Sequence, residues 1–98
     1  MITKEKSAKG RAIKVTFAIP ADSVREQAAV AGDFNDWSET KNPMKYDKKT
    51  NQWTCAVSLK PNASYRFRYL VDGEWRNDAE ADSYEPSPYF SENSVVDV

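Results

Sequence analysis

The 98-residue chain contains no histidine, a single cysteine and only three glycines. Without histidine, the commonest general base and metal ligand is missing, and neither a Ser–His nor a Cys–His nucleophile can form. The lone Cys55 excludes a disulfide within the chain, and three glycines are too few for a phosphate-cradling run. We therefore expect a domain that is not an enzyme and that holds neither a metal nor a cofactor.

Charge of one sign and long apolar runs are also lacking. The formal net charge is −1, so the chain has no overall field that would attract nucleic acid or an anionic membrane. No apolar run approaches the length that spans a bilayer, and the start "MITKEKSAKGRAIK" has no apolar segment behind its positive charges. The sequence therefore predicts a cytoplasmic protein with no nucleic-acid or membrane partner, which a single cysteine also fits.

Short alternating runs make up most of the chain. Residues 1–10 are rich in lysine without a period and predict a flexible arm, and residues 11–98 are long enough for one domain. Alternation at residues 12–20, 53–59 and 64–71 predicts strands, as do the runs "QAAVAGDF" and "SVVDV". The Asp72–Gly73 pair predicts a hairpin with "EWRND" as its return strand. No segment carries a helical period, so the sequence predicts an all-β sandwich or barrel.

The strand "YRFRY" at residues 65–69 allows two interpretations. Arginines between aromatic rings resemble a nucleic-acid-binding sheet. Alternation instead favours Phe67, Tyr69 and Val71 on the core face, with Arg66 and Arg68 on the opposite, solvated face. We prefer the core interpretation for these rings.

Two tryptophans, Trp37 in "AGDFNDW" and Trp75 in "VDGEW", follow turns and continue no alternating run. Each ring either folds back over the end of the sandwich or presents a flat surface for stacking. The C–H face of a sugar ring packs well on an indole, while nearby polar groups bind its hydroxyls. Asp33 and Asp36 could flank a glycosidic bond, but aspartates in a turn more often bond the backbone.

The segments "VAGDFNDW" and "YRFRYLVDGEW", with a Trp-led strand between them, resemble the glycogen-binding domain of the AMP-activated protein kinase β subunit. They are equally similar to the domain that precedes the catalytic barrel in isoamylases and glycogen branching enzymes. Together these domains form carbohydrate-binding module family 48. The resemblance covers roughly residues 12–98. It implies an immunoglobulin-like (early-set) β-sandwich that binds α-1,4-linked glucan, such as glycogen or starch, without catalysis.

The resemblance also implies six carbohydrate-binding positions, namely Trp37, Trp75, Arg68, Asn93, Ser91 and Tyr89. The two tryptophans match stacking residues. Arg68 replaces a lysine that bonds sugar hydroxyls, and its planar fork is not interchangeable with an ammonium group. Asn93 matches an asparagine that bonds sugar, Ser91 replaces a threonine, and Tyr89 replaces a leucine that inserts into the curved glucan.

The glucan-binding domain would act alone or beside a glucan-active enzyme or a kinase-type partner. Two further functions are alternatives to glucan binding. The first is a protein-interaction module that keeps the sandwich and uses its aromatic edge against a partner. The second is a nucleic-acid module, which the near-neutral charge disfavours.

Overall fold

A computed structural model describes residues 2–6, 12–87 and 92–98. Within these ranges the chain forms nine strands and two single-turn 3₁₀ segments. The strands are β1 (Ile2–Lys6), β2 (Ile13–Pro20), β3 (Ala28–Gly32), β4 (Lys45–Asp47), β5 (Gln52–Leu59), β6 (Ser64–Val71), β7 (Glu74–Arg76), β8 (Ser83–Pro86) and β9 (Glu92–Asp97). The 3₁₀ segments are Ala21–Ser23 and Asp33–Asn35. No helix in the described ranges is long and apolar enough to cross a membrane.

The strands form two antiparallel sheets. The first sheet has the order β1-β2-β5-β4. The second has the order β3-β6-β9-β8, and β7 also pairs with β6. Along β6, residues 64–67 pair with β9 and residues 69–71 with β7, while β3 pairs with residues 67–71. The prediction of an all-β, immunoglobulin-like sandwich is confirmed.

The core lies between the sheets, where the alternating faces of β2 and β6 meet. Phe17 of β2 and Phe67 of β6 are both 0% exposed, and their ring centroids lie 4.8 Å apart. Tyr69 and Val71 are buried on the same face of β6, as the alternation predicts. Burial of each such side chain contributes about 1.5–3 kcal/mol of hydrophobic stabilisation. These strands are therefore the frame on which the loops and the outer face are held.

Three edge strands differ from the sequence-based expectations. Residues 2–6, expected as part of a flexible arm, pair with β2 as an edge strand, and Ile2 packs against the core. Strands β4 and β8 lie in segments expected to be connections. Each of these strands gains its order from hydrogen bonds to a neighbouring strand, and none carries the apolar alternation that reveals a half-buried strand.

Candidate functional site

The side chains of β6 that point away from the core define one surface of the second sheet, termed here the outer face. Arg68 and Leu70 lie on it, because they alternate with the buried residues of β6. Directly paired residues of antiparallel strands share a face. Leu70 is paired with Ala29 of β3 and Trp75 of β7, and Arg68 is paired with Ala31. The register therefore places Trp75 on the outer face, beside Leu70.

Trp75 follows a hairpin turn that is attached to the rest of the domain. Asp72 and Gly73 have φ values of 51° and 83°, which is the type I′ geometry that matches the twist of two strands. The Asp72 carboxylate accepts the backbone N–H groups of residues 25–27 at 2.7–3.0 Å. These bonds, that of Arg25 foremost, lower the pKa of Asp72. The hairpin that carries the half-buried Trp75 is thus fixed to the connection before β3.

The turn before Trp37 is held by a glycine and an asparagine. A Cβ atom on Gly32 would lie 2.3 Å from the Arg66 carbonyl oxygen, so only glycine lets β3 approach β6 at this point. The buried Asn35 Oδ1 accepts the N–H groups of Gly32 at 3.0 Å and Ser38 at 3.2 Å. The Asn35 amide donates to the Val30 carbonyl. These contacts fold the chain back sharply at the end of β3.

Trp37 has a strained backbone. Its φ is 58°, and that of the preceding Asp36 is 56°, a left-handed conformation that is uncommon for any residue with a side chain and an outlier for a bulky one. Each such residue costs about 1–3 kcal/mol and persists only where its surroundings enforce it. The Trp37 N–H donates to the Gly32 carbonyl at 2.9 Å, and its indole Nε1–H donates to Asp33 Oδ1 at 3.2 Å. The turn therefore fixes the direction in which the half-buried ring leaves the backbone.

A hydrogen bond and two ion pairs link the Trp37 indole, through Asp33, to Arg66 of β6 and Glu85 of β8. Asp33 Oδ2 accepts the backbone N–H of Arg66 at 2.9 Å and approaches the Arg66 guanidinium at 3.4 Å. The Arg66 Nε–H donates to Glu85 Oε2 of β8 at 2.5 Å. In the sequence, the four-residue spacing of Asp33 and Trp37 within one turn is a local signal for the first of these contacts. Arg66 and Glu85 are far away in sequence and are brought there by the sheet.

Arg68 and Asn93, expected to bind sugar hydroxyls, lie together and bond one another. The Arg68 Nε–H donates to Asn93 Oδ1 at 3.0 Å, and Nη2 donates to the Glu92 carbonyl. Arg68 is 5% exposed and Asn93 8%, so the prediction of a solvated Arg68 is wrong. Burial lowers the pKa of Arg68, while the Glu92 charge opposes that shift. Strand β9 passes beside β6 here and gives the guanidinium protein partners in place of water.

The remaining two predicted positions, Tyr89 and Ser91, lie outside the described residues.

The cavities near these elements differ in the face of the second sheet that they border. A groove of about 680 Å³ borders Leu70 and Ala29 on the outer face, and the loop with Glu39, Thr40 and Pro43 forms its rim. A cavity of about 360 Å³ opens between the sheets. Its wall includes the core side of β6, so it does not belong to the outer face. The groove borders Leu70, the residue that is paired with Trp75.

Among the described residues, no group of three or more His, Cys, Asp or Glu side chains could hold a metal ion.

A comparison with protein families matches residues 18–96 to the model described as the glycogen recognition site of AMP-activated protein kinase. The matched region includes both tryptophan turns and the strands of the second sheet, except for the last residue of β9. No curated protein matches the chain.

Proposed function

Because the chain belongs to the family of glycogen recognition sites of AMP-activated protein kinase, within carbohydrate-binding module family 48, we propose that it binds α-1,4-linked glucan on its outer face. The family consists of non-catalytic carbohydrate-binding domains. In the proposed complex, glucose units of a glycogen-like or starch-like chain stack on Trp37 and Trp75. The domain anchors the polymer and leaves its bonds intact.

The observation that supports this proposal is that both tryptophan turns are bonded to β6. Trp75 is paired with Leu70 of the outer face, and the Trp37 indole donates to Asp33, which also binds Arg66 of β6. A glucan lying across this surface would remove the C–H faces of its sugars and the apolar indole surface from water. The strain at Trp37 supports a functional role, since a backbone outlier that the fold enforces is often retained for function.

Polar groups beside the rings suit the hydroxyls of such a chain. Arg66 and Glu85 are charged, accessible side chains on the same surface, with side-chain exposures of 50% and 42%. In this proposal Arg68 and Asn93 bind hydroxyls through the small part of each side chain that reaches the surface, and their mutual bond holds the guanidinium plane. Shallow stacking with a few hydroxyl bonds gives a Kd of roughly 10–100 µM.

Affinity electrophoresis in gels that contain glycogen tests the stacking directly. We expect Trp37→Ala and Trp75→Ala each to migrate faster than the wild-type protein in the glycogen gel and equally in a gel without glycogen. Tyr46→Ala is the matched control, because it removes a ring that is 48% exposed on β4 of the first sheet. Undiminished retention of both tryptophan variants would reject the stacking role.

One observation favours the alternative function, a protein-interaction module without sugar binding. The two polar residues that the family resemblance assigns to hydroxyl binding, Arg68 and Asn93, are nearly buried and already bonded to each other. A glucan-active enzyme or a kinase-type subunit would then be the partner. This function predicts that maltoheptaose leaves every amide resonance of the domain unchanged, whereas glucan binding predicts shifts along β6 and β7.

A further inference from the structure

We propose that Asp33 is a positioning residue for the glucan site, whose carboxylate fixes the plane of the Trp37 indole and ties it to β6. The inference rests on the proposed function, because it concerns how the Trp37 ring is presented to a sugar. Asp33 itself need not touch the glucan.

The two carboxylate oxygens of Asp33 have separate partners. Oδ1 accepts the Trp37 indole N–H at 3.2 Å. Oδ2 accepts the Arg66 backbone N–H at 2.9 Å and lies 3.4 Å from its Nη1. An ionised carboxylate only accepts hydrogen bonds and has room for all three donors. One short side chain therefore couples the ring to the strand.

The bond from Arg66 is part of the sheet's own hydrogen bonding. Strand β3 ends at Gly32, which is paired with Phe67, so the Asp33 carboxylate supplies the acceptor for the next N–H along β6. This bond to the backbone of β6 holds Asp33 in place independently of the tryptophan. The structural role belongs to Oδ2 and the positioning role to Oδ1.

A fixed Trp37 ring strengthens binding in the proposed function, because a shallow site makes few contacts with its ligand. A side chain that rotates freely before binding must lose that freedom on binding, which weakens affinity by about twofold to tenfold. The Asp33–Trp37 bond removes this freedom in advance. Arg66 extends the same support to β8 through its contact with Glu85.

The substitution Asp33→Asn separates the two roles. Asparagine has one acceptor oxygen, so it can satisfy the donors on one side only and must present its amide N–H group to the other side. We expect the oxygen to face the two Arg66 donors, which preserves the sheet and breaks the bond to the indole. Asp36→Asn is the matched control, since it removes the same charge from the same turn, and asparagine tolerates its left-handed φ of 56°.

Two measurements on the whole chain follow. In a ¹H–¹⁵N spectrum, Asp33→Asn should shift the indole resonance that Trp37→Phe removes, whereas Asp36→Asn should not. The Kd for maltoheptaose should rise about twofold to tenfold in Asp33→Asn and stay at the wild-type value in Asp36→Asn. If the amide destabilises the turn, Asp33→Ser is used instead. The serine hydroxyl is too short to reach both the Trp37 indole N–H and the Arg66 backbone N–H.

A double-mutant cycle with Trp37→Phe gives the deciding result. Phenylalanine still stacks on sugar but has no N–H, so Asp33→Asn should weaken binding no further in that background. An equal loss in both backgrounds, or a wild-type Kd for Asp33→Asn alone, would overturn the positioning role and leave the proposed function standing. Failure of the wild-type protein to bind maltoheptaose would instead reject the proposed function and this role together.

Discussion

Gly32 is the position where the fold and the candidate site depend most directly on one residue. Its φ of −173° is ordinary extended backbone, so the need for glycine comes from space alone. An alanine Cβ would lie 2.3 Å from the Arg66 carbonyl oxygen and 2.9 Å from both the Phe67 Cβ and the Phe34 ring. Ordinary contact begins near 3.4 Å, so β3 and β6 would have to separate by about 1 Å (3.4 − 2.3) where they are hydrogen-bonded.

This separation sets the magnitude that we expect for Gly32→Ala. Overpacking a core costs about 1–3 kcal/mol, and the obstructing atom here is backbone that cannot rotate away, so we expect a loss of about 3 kcal/mol. For a domain of this size, each 1 kcal/mol lowers Tm by about 4–8 °C, so the variant should melt ~12–24 °C below wild type. Differential scanning calorimetry and urea unfolding, followed by tryptophan fluorescence, measure both quantities.

Gly73→Ala is the matched control, because at Gly73 the backbone conformation, and not the available space, favours glycine. Gly73 has a φ of 83°, but a Cβ there meets nothing within 4 Å. A left-handed alanine costs about 1–2 kcal/mol and displaces no strand. A smaller loss of stability in Gly32→Ala than in Gly73→Ala would refute the close-approach argument for the Trp37 turn.

Two further predictions concern side chains that hold this sheet. Asp72 accepts three backbone N–H groups, and its pKa is lowered in the folded protein. Its stabilisation is therefore present above the ordinary carboxyl pKa of about 3.9 and is lost as the pH falls through the lower folded value. Asp72→Ala should unfold at less urea than wild type at pH 7, and the difference should shrink at pH 2; an unchanged difference contradicts this role. Tyr69→Phe removes a buried hydroxyl that donates to Asp78 Oδ2 at 2.6 Å and should cost about 1.5–3 kcal/mol in urea unfolding, whereas wild-type stability would show that this bond contributes nothing.

The central strands could be predicted from the sequence because each buries one face. Alternation in β2 and β6 marks Phe17, Phe67 and Tyr69 as core, and all three are buried. The edge strands carry no such signal. In β4, "KYD" is largely exposed, and its strand geometry comes from pairing with residues 52–54 of β5. Pairing between distant segments leaves little local trace when a strand has no buried face to pattern.

In the candidate site, too, features with a local sequence signal could be predicted, and features that depend on distant segments could not. Both tryptophan turns could be read from local residues, since Gly, Asn and Asp at these positions act on their own backbone. The burial of Arg68 could not, because its partner Asn93 is 25 residues away in sequence and meets it only through the β6–β9 pairing. The Asp33–Arg66–Glu85 contacts could not be predicted from the sequence either, since the register of three strands brings these charges together.

Both tryptophan turns are bonded to strand β6, and their spacing along it bears on the length of the ligand in the proposed function. The Trp37 turn is attached to β6 at Arg66, and the Trp75 hairpin is paired with it at Leu70. These two positions are four residues apart on one strand, which corresponds to about 13 Å at 3.3 Å per residue. The core packing of Phe67 and Tyr69 fixes this part of β6, so the points at which the two turns are attached keep this separation. In the proposed function we therefore expect simultaneous stacking on both indoles to need an oligomer, so that maltoheptaose binds and glucose does not.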